Sequence, residues 1–171
     1  MILFLDFDGV LHPQLRPQDY LARFPGLPGV QPPTAGNGLF SRLPLLWRVL
    51  RDHPGIDVVF STSWRERHDF RQLVEKATQG GGEDMAHRFV GVLPVIEIRS
   101  ADDLPNIRYR EILQYLREHG REAEAWLALD DDAALFPSGC PNLVLCEQGF
   151  SEKEGDALRE RLKEKRYSDE R

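Results

Sequence analysis

The sequence predicts an α/β fold, a three-layer Rossmann-like sandwich with a mostly parallel five-stranded sheet. Three observations predict it. Short apolar runs recur along the chain, amphipathic stretches of helical spacing separate them, and the runs are apolar on both faces. Strands of that kind belong to a parallel sheet covered by helices on each side. The length agrees, since 171 residues make about one ordinary domain.

Ile2–Phe7 (ILFLDF) reads as the first buried strand, apolar until Asp6. Pro13–Asn37 is rich in proline and glycine, so residues 10–37 read as an irregular loop or flap. Leu39, Leu43, Leu46 and Leu50 share a helical face over about 39–52, with Pro44 near its start. Asp57–Phe60 (DVVF) is the second strand. Arg65–Thr78 is predicted helical, with Phe70, Leu73, Val74 and Ala77 at helical spacing and Ser63 as its N-cap. Three glycines turn the chain within Gln79–Asp84. Phe89–Val95 is a third strand weakened by Gly91 and Pro94. Ile107–His119 reads as a helix stopped at Gly120. Trp126–Leu129 and Leu143–Cys146 complete the strands. Ser151-Glu-Lys-Glu154 opens a last helix through a capping box, with Leu158 and Leu162 inward. The charged tail 163–171 is expected to fray.

Composition narrows the function. Hydrophobic residues make up 41% and charged residues 29%, which suits a globular domain with its own core. Net charge is −6, so a bulk positive field for nucleic acid is absent and only a local basic site is allowed. Cys140 and Cys146 form no disulfide framework. The early apolar run is too short to span a membrane and lacks the basic start of a signal peptide. A cytoplasmic setting is therefore expected.

The chemistry concentrates at strand ends. Asp6-Phe-Asp8-Gly9 places two carboxylates one residue apart where the first strand stops. In open parallel sheets, ligands bind beyond the carboxyl ends of the strands. The carboxylates repel unless a cation lies near them, and a hard divalent ion such as Mg²⁺ serves. Asp130-Asp131-Asp132 follows the fourth strand and adds to the same edge. Taken singly, the Asp6/Asp8 pair reads equally well as a solvated strand-end turn and the Asp130–Asp132 run reads better as one; together they favour a metal site. Ser61-Thr62-Ser63-Trp64-Arg65 follows the second strand, where Ser61 or Thr62 can donate to a phosphate oxygen and Arg65 can assist in binding it. Arg108 opens a later helix as a cation for phosphate, with Arg110 as its competitor. His12 follows the first motif and can line the site, whereas the other histidines show no metal spacing.

This series, in this order, resembles the haloacid dehalogenase (HAD) superfamily of phosphatases. STSWRE and the stretch from Arg108 to Leu116 are further similar to small HAD domains associated with RNA repair proteins. The resemblance implies that Asp6 is the nucleophile, forming an aspartyl-phosphate. It makes Asp8 the general acid and then the general base. It implies Mg²⁺ held by Asp6, Asp8 through its backbone carbonyl, Asp130 and Asp131. Ser61 would hold the phosphoryl group and Arg108 balance its charge. The superfamily more often uses lysine for that cation, and Arg108 departs from it. The intervals from Leu11 to Ile56 and from Glu66 to Asn106 leave no room for a large cap domain, so an open site is expected. Open sites admit bulky substrates, such as a nucleic acid end or a phosphoprotein. Arg16, Arg23, Arg42, Trp64, Arg65 and Arg67 could form a local anion-binding rim, where Trp64 either stacks on a base or packs under the helix. The alternative readings are a non-catalytic phospho-ligand or protein-binding module, and a receiver-type domain. The four acidic positions weigh against the first, and the order of the acidic motifs against the second.

Overall fold

The computed structural model describes residues 1–13 and 38–169. Five strands, β1 (Ile2–Leu5), β2 (Asp57–Phe60), β3 (Phe89–Val92), β4 (Trp126–Asp130) and β5 (Leu143–Leu145), form one sheet in the order β3-β2-β1-β4-β5. All pairings are parallel, so the sheet is uniformly rather than mostly parallel. Among the described residues four helices cover it: α1 (Leu43–Asp52), α2 (Phe70–Thr78), α3 (Ile107–Glu118) and α4 (Glu152–Asp169).

Alternation along β1 explains the three layers. Leu3 and Leu5 face one core with Leu46 and Leu50 of α1, Leu73 of α2 and Leu158 and Leu162 of α4. Ile2 and Phe4 face the other, where Ile112, Tyr115 and Leu116 of α3 pack. Every residue of β1 is fully buried, as a central strand covered on both sides requires. Each such Leu or Phe contributes about 1.5–3 kcal/mol relative to an exposed one.

Several boundaries differ from the sequence reading. β1 ends at Leu5, because the chain turns at Phe7, whose carbonyl accepts from Val10 and Leu11. β3 stops at Val92, and Pro94 just beyond it has no N–H to continue the ladder. α1 begins at Leu43 rather than near 39, with Pro44 in its first turn. The helix predicted over Arg65–Thr78 is split into a 3₁₀ turn, Ser63–Glu66, and α2. Ser63 is not the cap: Thr62 caps the 3₁₀ turn, while Asp69 and Gln72 form a capping box for α2. α4 continues through Asp169, so residues 163–169 are helical where fraying was expected over 163–171; the last two lie outside the described residues. The stop at Gly120 is confirmed by its positive φ of 63° and by the Arg121 N–H bonding back to Leu116.

The loop predicted over 10–37 lies outside the described residues from 14 onward. Between β2 and β3 the chain is used up by α2 and two 3₁₀ turns, which leaves no large cap. Among the described residues no helix is long and apolar enough to cross a membrane.

Candidate active site

Register brings the site together. Leu5 of β1 pairs with Phe60 of β2 on one side and Leu129 of β4 on the other. The next residues, Ser61, Asp6 and Asp130, therefore emerge side by side at the carboxyl edge. The ladder extends past them: Ser61 N–H donates to Leu5 O at 2.9 Å, and Asp6 N–H to Leu129 O at 3.1 Å. From β1 the sheet grows in opposite directions, to β2 and to β4, so this edge is the topological switch point where open α/β sheets bind ligands.

Three of the predicted metal ligands converge. Oxygens of Asp6, Asp130 and Asp131 lie within 4.8 Å of one another. Around Mg²⁺, oxygens sit about 2.1 Å from the ion and hence about 3–4 Å apart, so a slight contraction would complete the geometry. Asp130 Oδ1 accepts from the Asp132 N–H at 3.0 Å, while its buried Oδ2 has no hydrogen-bond partner. Burial, then the nearby Asp130, raises the Asp6 carboxyl well above the usual carboxylate range. Burial likewise raises Asp131 and pushes Asp130 up to about 7, against the pull of Arg108. An all-oxygen, charge-rich and partly unsatisfied set of this kind fits a hard divalent cation. Gly9 makes room for the Asp131 carboxylate: at φ +71° a Cβ there would lie 1.9 Å from Asp131 Oδ2.

Asp8, placed with the ligands by the sequence, holds its carboxylate elsewhere. Oδ1 is 2.9 Å from His12 Nε2, and Oδ2 accepts from the Trp64 indole N–H at 2.9 Å. Trp64 is buried among Phe7, Phe40 and His12. The packing role foreseen for it therefore holds, and its ring is not offered to a base.

The members of each alternative pair differ in their surroundings. Ser61 Oγ is buried with no partner, whereas Thr62 Oγ1 accepts from the Trp64 N–H at 3.3 Å. Arg108 Nε lies 3.8 Å from Asp130 Oδ2 and has no hydrogen bond. Arg110 instead donates to the Asp103 carbonyl at 2.9 Å on the surface. Ser61, beside Asp6 by register, keeps its hydroxyl unpartnered, and Arg108 lies near Asp130, whereas Thr62 and Arg110 make local contacts.

Arg65, expected to touch substrate, is turned inward with 4% side-chain exposure. Its guanidinium donates to the carbonyls of Ser61 (3.1 Å) and Thr62 (2.8 Å) and to Glu111 Oε1 (2.7 Å). The other Glu111 oxygen accepts from Arg108 Nη1. Glu111, which the sequence reading did not select, therefore joins two buried arginines behind the site. Its signal was a carboxylate on the apolar stripe of α3, beside Ile112 and three residues from Arg108. Of the anion-binding rim, Arg16 and Arg23 lie outside the described residues. Arg42 donates to the Gln148 carbonyl at 2.5 Å, and Arg67 is exposed.

Fold and site together define a HAD-type hydrolase domain. Residues 2–154 match the family described as the HAD domain in Swiss Army Knife RNA repair proteins, and the chain belongs to that family. No curated protein and no solved structure is significantly similar to it.

Proposed function

We propose that the protein is a Mg²⁺-dependent phosphatase that works through an aspartyl-phosphate on Asp6. The observation that carries this reading is the meeting of Asp6, Asp130 and Asp131 within 4.8 Å, with the Asp8 carboxylate, two residues beyond the nucleophile, outside that group and hydrogen-bonded to Trp64. Phosphoryl transfer asks mainly for positioning and charge neutralisation. Magnesium held by Asp6, Asp130 and Asp131, with the Asp8 backbone carbonyl, would supply the positive charge that lets an anionic carboxylate approach an anionic phosphate.

In the first half-reaction an Asp6 oxygen attacks phosphorus. The bond to the leaving oxygen breaks, and Asp8 gives that oxygen its proton. In the second, Asp8 takes a proton from water as the water oxygen attacks phosphorus, releasing phosphate and restoring Asp6. The unpartnered Ser61 hydroxyl donates to a phosphoryl oxygen, and Arg108, anchored on Glu111, balances its charge.

The capless site suits a bulky substrate. The family's description supports a phosphorylated RNA end ahead of a phosphoprotein. The free thiols of Cys140 and Cys146 support a reducing, cytoplasmic setting. The test is hydrolysis of a generic aryl phosphate with added Mg²⁺, followed by a panel of end-phosphorylated oligonucleotides, nucleotides, phosphopeptides and sugar phosphates. Activity should require the metal and vanish in Asp6→Asn. Full activity in that variant refutes the nucleophile, and Mg²⁺ binding without turnover across the panel marks a binding module instead.

A further inference from the structure

Asp8 lies two residues from Asp6, close enough that a free carboxylate would be drawn toward any cation bound there. Two ring nitrogens occupy it instead. Trp64 donates to Oδ2 at 2.9 Å, and His12 Nε2 stands 2.9 Å from Oδ1. Both rings are fixed by packing: His12 is 0% and Trp64 8% exposed, and the Phe40 ring lies 4.8 Å from His12 and 5.5 Å from Trp64. Trp64 rides on the same 3₁₀ turn that begins just after Ser61, so one short segment serves both the phosphoryl group and the acid.

We infer that Trp64 and His12 are positioning residues for the general acid: they hold the Asp8 carboxylate off the cation cluster and available to the leaving-group oxygen. The inference rests on the role given to Asp8 above. An indole N–H only donates, so Oδ2 is kept as an acceptor whatever else the site binds. Trp64→Phe deletes that donor while retaining a buried aromatic ring.

The experiment measures kcat/KM, with saturating Mg²⁺, for aryl phosphates ranging from 2,4-dinitrophenyl to phenyl, whose phenol has a pKa of about 10. Loss of acid assistance penalises poor leaving groups most. Asp8→Asn should therefore steepen the dependence on leaving group. Trp64→Phe should steepen it in the same sense, with phenyl phosphate losing about tenfold more than the dinitrophenyl ester, as the loss of one hydrogen bond implies. A Trp64→Phe slope equal to wild type beside a steep Asp8→Asn slope overturns the inference and leaves the acid role intact. A flat Asp8→Asn series removes the acid role and the inference with it.

The contact itself is read in metal-free protein by ¹⁵N NMR. Of the three tryptophans, the indole signal lost in Trp64→Phe should move in Asp8→Asn and stay in Ser61→Ala. An unmoved signal in Asp8→Asn overturns the inference. Should Trp64→Phe not fold, His12→Gln, which keeps both a donor and an acceptor, should retain the wild-type slope and His12→Leu should steepen it; equal slopes overturn the inference.

Discussion

Replacing Glu111 by glutamine removes one negative charge and almost no volume, so its effect reports electrostatics rather than a cavity. Glu111 is 4% exposed in its side chain and joins Arg65, also 4% exposed, to Arg108, 11% exposed. Losing one partner of a buried ion pair costs about 3–5 kcal/mol, because the remaining charge stays uncompensated. Two features place this case at the lower end. Arg65 keeps the Ser61 and Thr62 carbonyls, and Arg108 keeps Asp130 at 3.8 Å. Burial and the neighbouring Arg108 already hold the Arg65 pKa below its ordinary value, so the two guanidinium groups are poorly matched without the carboxylate between them. The expected loss is about 3 kcal/mol, or a Tm lower by about 6–12 °C for a domain of this size. Arg108 would also be drawn onto Asp130 Oδ2, weakening Mg²⁺ binding several-fold. Thermal unfolding followed by circular dichroism, with calorimetric Mg²⁺ titration, measures both. A Tm within 2 °C of wild type with unchanged Mg²⁺ affinity refutes the reasoning.

Other substitutions separate structure from chemistry. Gly9→Ala should destabilise by about 1–2 kcal/mol through its left-handed φ, and should weaken Mg²⁺ binding because Asp131 must move from the new Cβ. Equal affinity by titration would contradict this. Ser61→Ala loses no internal side-chain hydrogen bond, so it should unfold within about 0.5 kcal/mol of wild type, while kcat/KM for phosphate esters falls about tenfold. The raised carboxyls make metal-free stability depend on pH. A carboxyl whose folded pKa lies above its unfolded value stabilises the fold while pH stays below the unfolded value and loses that contribution as pH rises through the folded one. For Asp130 that window runs from the usual carboxylate range up to about 7. Metal-free protein should therefore lose stability across it, and the Mg²⁺-induced rise in Tm should be larger at pH 8 than at pH 5. An equal rise at both would contradict the cluster's electrostatics.

The fold was legible because its signals are local. Apolar runs such as ILFL and WLAL mark covered strands, and Gly120 marks a stop that depends only on backbone conformation. The split between the 3₁₀ turn and α2 was hidden because Ser63 and Asp69 are both good caps, and Asp69 with Gln72 prevails by forming both hydrogen bonds of the box. In the site, strand-end residues were readable since register alone aligns Ser61, Asp6 and Asp130. Side-chain direction was not. That Arg65 turns inward, that Arg110 faces out, and that Trp64 reaches Asp8 across 56 positions of sequence depend on tertiary packing that no local pattern encodes.

The proposed mechanism transfers the phosphoryl group to Asp6. Rapid quenching during turnover of an aryl phosphate with Mg²⁺, followed by borohydride reduction and peptide mass spectrometry, tests it directly, because an acyl phosphate on aspartate is reduced to homoserine. Homoserine is expected at position 6, and none in samples lacking substrate. Reduction at another residue, or steady turnover with position 6 unmodified throughout, would contradict the mechanism.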